Sequence, residues 1–249
     1  MATPRRWKQA SVIAVMALVV MVIPGGAQAP LEPWEDIRVT SRGAEPMHAT
    51  LLPFDAVEAA VRARFAASPW VHSLSGNWKF KWVEKPADRP RDFFADRFDV
   101  SGWADMPVPG NWEMHGYGTP VLLDEAIAFP PYPPKPPSVP RDHNPVGSYL
   151  RTFRLPAAWG DREVFLHFGA VNSAFFVWVN GRSVGYSQDS KTPAEFNITR
   201  YLRSGDNSVA VQVYAYSVGS YLESQDMWRL AGIERDIVLV ARPRVHIRD

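Results

Sequence analysis

Cysteine is absent from the 249 residues of this chain. Its absence excludes disulfide bonds, thiolate zinc sites, iron–sulfur clusters and cysteine nucleophiles. An excess of one charge is also missing, because 27 basic residues stand against 26 acidic ones and the net charge is +1. Proteins that bind nucleic acids usually carry a basic excess or a basic patch, so the composition argues against that class of partner.

The longest apolar run of the sequence lies near its beginning, at residues 12–23. A basic segment at residues 5–8 precedes this run, and the small-residue sequence Ala-Gln-Ala follows it at residues 27–29. This order is typical of a secretory signal peptide. A membrane-spanning helix needs about 20 apolar residues, so a retained anchor is the less favoured alternative. We therefore predict a signal peptide over residues 1–29 and export to the periplasm or the cell exterior.

Proline and aromatic residues are abundant, with 23 prolines and 10 tryptophans. Proline breaks helices, and aromatic side chains are enriched in strands. The pair Asn180-Gly181 favours a type I′ hairpin turn between two strands. Short strands separated by turns predict an all-β fold, an antiparallel β-sandwich. Segments with the alternating or continuous apolar pattern of strands lie at residues 78–82, 164–168, 176–179, 182–186, 209–213 and 237–240.

Two segments depart from this pattern. Phe54, Val57, Val61 and Phe65 recur at helical spacing and predict one short amphipathic helix before the strands. Residues 130–145 contain eight prolines, which cannot form a central strand because proline donates no backbone hydrogen bond. A linker between domains and an ordered loop both fit this stretch. The strand patterns on either side favour the loop.

Two aspartates follow apolar stretches and are candidate ligand-binding residues. Asp189 comes just after the second strand of the hairpin, and Asp124 precedes the proline-rich stretch. Carboxylates beside aromatic rings suit carbohydrate binding, because a hydrogen bond between a sugar hydroxyl and a charged group contributes about 1.5–3 kcal/mol. The alternative is a turn aspartate that bonds to its own backbone. The spacing alone leaves both interpretations open.

A second group of acidic residues surrounds Trp228 in the sequence. A glycosidase needs two carboxylates roughly 5–10 Å apart, and proximity in sequence does not establish that geometry. Most such clusters are solvated or form ion pairs with neighbouring residues such as Arg229 and Arg235. The acidic residues of this group are Glu223, Asp226, Glu234 and Asp236.

None of the six histidines has the spacing of a zinc motif, so no zinc site is predicted.

Several longer motifs resemble one known family, the large bacterial β-galactosidases of glycoside hydrolase family two. They occur in the family's order, from about residue 42 to residue 249. Two shorter motifs, EPMHA at 45–49 and LSGNW at 74–78, agree with the same family. The long motifs are VPGNWEMHGY at 108–117, GAVNSAF at 169–175, VGYSQDS at 184–190, and GSYLE with QDMWR, GI and RD within 219–236.

The resemblance implies a fold and a division of the chain. The family's first domain is a jelly-roll β-sandwich that binds sugar, and an immunoglobulin-like domain and a (β/α)₈ barrel follow it. The barrel carries the acid/base and nucleophile glutamates of a retaining mechanism. We therefore expect a segment with the short helix at 30–70, the jelly-roll sugar-binding domain at 71–243, and the start of a linker at 244–249. The catalytic glutamates are expected outside this chain, which alone is expected to be inactive.

The resemblance also implies ligands. Asp189 matches the family's aspartate that binds a galactosyl hydroxyl and a sodium ion. Asp124 falls where many members have an asparagine that contacts the sugar, and the aspartate keeps an acceptor but lacks the amide donor. Magnesium and sodium are implied for the complete enzyme. The implied partners are a β-galactoside, the remaining domains of the enzyme and a second copy of the complete protein.

Three functions fit these observations. The first is the N-terminal sugar-binding portion of a retaining β-galactosidase, which hydrolyses terminal β-D-galactosyl residues. The second is a free-standing carbohydrate-binding module without catalysis, and the third is a domain that pairs with a separately encoded barrel. The family also contains β-glucuronidases and β-mannosidases, but the QDS and QDMWR motifs resemble the galactosidase branch. Tight sugar binding by the isolated chain would favour the second function.

Overall fold

The structure, a computed structural model, describes residues 30–62, 67–122, 129, 134–223 and 225–249. The predicted signal peptide at 1–29 and the candidate residue Asp124 lie outside these residues. Residues 31–249 form one compact unit. Within the described part of the chain, no helix is long and apolar enough to cross a membrane.

Strands dominate the described residues, and the two helices among them are short. The helices are α1 (Val57–Arg62) and α2 (Ser220–Glu223). The strands are β1 (Ser41–Arg42), β2 (Val71–Ser73), β3 (Gly76–Val83), β4 (Ala104–Val108), β5 (Gly110–Asn111), β6 (Val121–Leu122), β7 (Val146–Arg154), β8 (Glu163–Phe168), β9 (Val171–Asn172), β10 (Ala174–Val179), β11 (Arg182–Gln188), β12 (Ala194–Asn197), β13 (Asp206–Tyr214), β14 (Trp228–Arg229), β15 (Gly232–Ile233) and β16 (Ile237–Arg242).

Two large antiparallel sheets form a sandwich. Seven strands form one sheet in the order β1-β11-β10-β13-β7-β3-β4, and four form the other in the order β12-β8-β16-β2. Every second residue of the facing strands is buried in a shared core, as period-two side-chain alternation requires. These core positions include Val164, Leu166 and Phe168 of β8, Val209, Val211 and Val213 of β13, and Ile237, Leu239 and Ala241 of β16. The predicted antiparallel β-sandwich and its six strands are confirmed.

The predicted hairpin is also confirmed. Asn180 and Gly181 connect β10 to β11 with φ values of 50° and 78°. A type I′ turn needs positive φ at both central residues, which this pair tolerates. The turn sets the register of β10 against β11, in which Ala174 pairs with Gln188 at the end of β11.

The predicted helix forms as α1, but two residues of its expected apolar face are not buried. Phe65, the last residue of that face, lies outside the described residues. Val57 is 74% exposed and Val61 is 80% exposed. The spacing of these residues therefore indicated the helix correctly, and it did not indicate what the helix packs against. The second helix, α2, has four residues and is too short to produce a periodic pattern.

The described part of the proline-rich stretch, 134–145, packs against the sandwich as an ordered loop. Val139 is buried in a second apolar cluster together with Trp34 and Tyr214. Asn144 donates a 2.9 Å hydrogen bond to the carbonyl of Tyr216. The hydroxyl of Tyr221 donates to the carbonyl of Ser138. The structure thus agrees with the loop interpretation rather than a linker for these residues.

Candidate functional site

The backbone reverses direction where β11 ends, and this turn places Asp189. Gln188 is buried, and its side chain donates a 2.9 Å hydrogen bond to the carbonyl of Val39. The next residue, Asp189, has φ of 93°, a region that non-glycine residues rarely adopt. Such a conformation costs on the order of 1–3 kcal/mol and persists where the surroundings impose it. The turn leaves the Asp189 side chain exposed.

The segment after Asp189 is held by Glu223. The backbone amide of Ser190 donates a 2.9 Å hydrogen bond to Glu223 Oε1, and the Ser190 hydroxyl donates a 2.5 Å bond to Oε2. Asp189 thus lies between two anchored neighbours, Gln188 and Ser190. Its own carboxylate forms no hydrogen bond or ion pair with the residues that the structure describes. The backbone at Asp189 is therefore held in position, and its carboxylate remains available to a ligand.

Asp189 lies in an open cleft of about 770 Å³. Three chain segments that are distant in sequence form its walls, at residues 37–47, 187–194 and 218–223. Ile37, Met47 and Leu222 line it and are exposed. An exposed apolar rim around a free carboxylate suits a ligand with hydroxyl groups and an apolar face.

Buried ion pairs hold one wall of this cleft in place. Glu195 is 6% exposed, and Arg242 donates to its two carboxylate oxygens at 2.5 and 2.8 Å. His48 Nε2 lies 3.0 Å from Glu195 Oε1, and His167 Nδ1 lies 3.4 Å from Oε2. Burial opposes ionisation of Glu195, but the hydrogen bonds of His167 and Arg242 outweigh it and lower its pKa to about 2. The backbone of Glu195 also accepts a 2.8 Å bond from the Glu45 amide, which attaches the wall segment to β12.

The residues around Asp189 do not by themselves complete a sodium site. A carboxylate oxygen is the type of ligand that hard cations prefer. The described residues contain no group of three or more acidic, histidine or cysteine residues that would hold a metal ion. The sodium ion at Asp189 and the magnesium ion of the complete enzyme therefore remain predictions from the resemblance.

The acidic residues around Trp228 do not act as one cluster. Glu234 accepts a 2.5 Å hydrogen bond from Lys191 and a 3.2 Å bond from Asn111. Asp236 accepts a 2.9 Å bond from the Ser75 hydroxyl. Of the two expected roles, pairing with Arg229 and Arg235 is not formed among the described residues, because chain folding brings distant partners to the three carboxylates other than Asp226. Asp226 is exposed to solvent, as the other role, solvation, predicts. In the part of the chain that the structure describes, neither arginine forms an ion pair with these carboxylates.

Sequence reasoning missed one titratable residue, Glu113. It accepts a 3.0 Å hydrogen bond from the amide of Ala231 and lines a second cavity of about 150 Å³. Burial is the main reason that the pKa of Glu113 is raised to about 7, and the nearby charge of Glu234 contributes a smaller part of this rise. Its position inside the NWEMHGY motif was a signal, because an acidic residue there follows the fully buried Trp112.

Asp189 is the one predicted sugar-binding residue whose surroundings the structure describes. Asp124 lies outside the described residues. Asp189 lies directly after β11 and lines the open cleft. The cleft walls and the Glu195 ion pairs were not predicted.

Comparison with known proteins identifies relatives of this fold. Residues 71–243 match the family described as glycosyl hydrolases family 2, sugar binding domain. The β-galactosidase of Priestia megaterium is 43% identical over 205 residues, which are 81% of this chain and 20% of that protein. The β-galactosidase of Psychromonas ingrahamii is 43% identical over 216 residues, which are 87% of this chain and 20% of that protein. This chain thus spans 20% of the length of both relatives.

Solved structures agree on the fold. β-Glucuronidase 2 of Bacteroides uniformis superposes with a TM-score of 0.52 and 24% identity, over 70% of this chain and 18% of that one. At this identity the likeness shows the fold alone, and it agrees with the β-sandwich. The family match covers more than half of the chain and confirms the predicted resemblance. The chain belongs to glycoside hydrolase family 2, and residues 71–243 are its sugar-binding domain.

Proposed function

We propose that this chain is the sugar-binding portion of an exported, retaining β-galactosidase, and that Asp189 contacts the terminal β-D-galactosyl residue. The single observation that carries the proposal is the Asp189 carboxylate, which stands on a backbone turn anchored by its neighbours and is free to bind a ligand. The names of the two 43% identical relatives support the choice of sugar. In this proposal the acid/base and nucleophile glutamates lie in a barrel that is not part of the chain.

Asp189 has a defined role in this proposal. Its carboxylate accepts hydrogen bonds from sugar hydroxyls, and the exposed apolar side chains of the cleft cover the apolar face of the sugar. The residue binds and orients the substrate and does not take part in bond cleavage. Magnesium and sodium belong to the proposed complete enzyme.

A chimeric enzyme tests the role of Asp189. Residues 31–243 of this chain replace the matching segment of the Priestia megaterium β-galactosidase, and hydrolysis of a nitrophenyl β-galactoside is measured. Asp189→Asn removes a charged acceptor and is expected to lower kcat/KM by roughly 10–100-fold. Asp226→Asn, which neutralises an exposed aspartate outside the cleft, is the matched control and should leave kcat/KM unchanged.

The thermal midpoint of each chimera separates binding from folding. We expect Asp189→Asn to have the same thermal midpoint as its parent, because the carboxylate has no partner among the described residues. Equal kcat/KM in parent and variant would remove Asp189 from the site. A large drop in the midpoint would assign it a structural role instead.

Sugar titration of the isolated chain separates the proposal from a free-standing module. Half of the proposed pocket belongs to other domains, so we expect weak or absent galactose binding. A dissociation constant below about 0.1 mM would contradict the proposal and favour the module.

A further inference from the structure

A second cavity lies beside the Asp189 cleft, and Glu223 lines both. It encloses about 150 Å³, which is room for a few non-hydrogen atoms. Its walls are largely apolar and include Phe129, Tyr216 and Trp228. Arg229, the last residue of β14, also lines it.

Arg229 has an unpaired edge. Its Nε and Nη2 atoms are shielded from solvent and have no hydrogen-bond partner among the described residues. A buried donor without a partner is costly, and the cost is larger for a charged group. Nothing in the described part of the chain offsets that cost, so a group from elsewhere is needed to satisfy this guanidinium.

The free edge indicates the chemistry of that group. Nε and Nη2 are the two nitrogens that grip a carboxylate with parallel hydrogen bonds. Arg141 uses the same two atoms on Glu35, at 2.5 and 2.7 Å. Arg38 uses them on Asp36, at 2.9 and 2.8 Å. The Nε and Nη2 atoms that bind a carboxylate in these two arginines have no partner among the described residues in Arg229.

The surface around the cavity indicates the source of the carboxylate. Trp228 is 53% exposed, and Met227 and Leu122 are exposed beside it on the β14–β6 side. Met114, next to the lining residue Glu113, is exposed as well. Exposed apolar residues around a buried unpaired charge are typical of a surface that another polypeptide covers. The relatives are roughly four times as long as this chain, and the rest of a protein of that length would supply such a polypeptide.

We propose that Arg229 is a docking site for an aspartate or glutamate side chain of a polypeptide segment that covers this apolar face. The inference rests on the part of the proposed function that places the chain in a longer glycosidase. It does not depend on Asp189 or on the identity of the sugar. Its test therefore uses acidic probes and no galactoside.

Nitrogen-15 NMR of the Arg229 Nε–H group tests the proposal on the full chain. Sodium acetate replaces sodium chloride at constant ionic strength, and acetamide serves as the neutral probe of the same shape. A charged hydrogen-bonded pair of this kind predicts half-saturation at about 10–100 mM acetate. N-acetyl-Phe-Glu-amide should bind at least as tightly, and N-acetyl-Phe-Gln-amide at least about tenfold more weakly.

Variants show whether the fork of Arg229 is responsible. Arg229→Lys keeps the charge but lacks the two-nitrogen edge, and we expect it to lose at least about tenfold in acetate affinity. Arg91→Lys, at an exposed arginine, is the matched control and should bind as the parent does. If Arg229→Lys does not fold, the response of the parent's Arg229 signal to acetate against acetamide still decides the question.

Three results would overturn the proposal. One is an Nε–H signal that does not respond saturably to acetate, or that responds equally to acetamide. Another is D-glucuronate binding far more tightly than the glutamate peptide, which would assign the site to a sugar acid. The third is acetate binding only after Asp124→Asn and Glu125→Gln are introduced together, which would show that the chain's own carboxylates fill the site.

Discussion

Glu195→Gln tests the buried ion pairs that hold one wall of the Asp189 cleft. The substitution keeps the size of the side chain and removes its charge, so Arg242 loses its buried counter-charge. Removing one partner of a buried pair costs about 3–5 kcal/mol. The lowered pKa of Glu195, about 2 against an ordinary 4.5, gives a similar magnitude of about 3 kcal/mol. We expect the free energy of unfolding to fall by that amount at pH 7.

The pH dependence of this loss follows from the direction of the pKa shift. A carboxyl whose pKa is lower in the folded protein stabilises the fold fully above its unfolded pKa of 4.5. That contribution disappears as the pH falls toward about 2. The gap between the parent and Glu195→Gln should therefore be constant near neutral pH and narrow below about pH 4.5.

Urea unfolding followed by tryptophan fluorescence measures both quantities. Asp206→Asn is the matched control, because Asp206 pairs with Arg154 on the exposed surface and its loss should not change the midpoint. A loss below about 1 kcal/mol in Glu195→Gln, or a gap that does not change with pH, would refute the reasoning about this site.

Two further substitutions test other parts of the account. The raised pKa of Glu113, about 7, means that the free energy of unfolding should fall as the pH rises from about 4.5 to 7. Glu113→Gln should abolish that fall in urea titrations, and parallel pH profiles for parent and variant would contradict it. Gly147→Ala would place a Cβ atom 2.6 Å from the Trp112 ring, so we expect a loss of about 1–3 kcal/mol. Gly102→Ala, where the new atom meets nothing within 4 Å, is its control, and equal melting of the two variants would contradict the packing argument.

The local parts of the fold could be predicted from the sequence. Alternation of apolar residues along β13 and the Asn180-Gly181 turn act over a few residues, and both predictions are confirmed. The position of Asp189 after β11 followed from the same pattern and from the QDS motif. These features depend on neighbours in the chain, which the sequence displays directly.

The surroundings of the site could not be predicted, because they depend on contacts between distant residues. His48 and Glu195 are 147 positions apart, and no spacing rule joins them. The partner of Glu234 is Lys191 rather than an adjacent arginine for the same reason. The exposure of Val57 and Val61 shows the same limit, since helical spacing indicates a face and not its partner.

The intact mass of the native polypeptide in its source tests the central claim most directly. The account places this sugar-binding domain in a longer glycosidase, and it predicts a mass several times 28.0 kDa. A mass of about 25 kDa, the chain without its predicted signal peptide, would contradict the account. The β-sandwich would then be produced as a separate protein. The functions to test would be a free-standing carbohydrate-binding module and a domain that pairs with a separately encoded barrel.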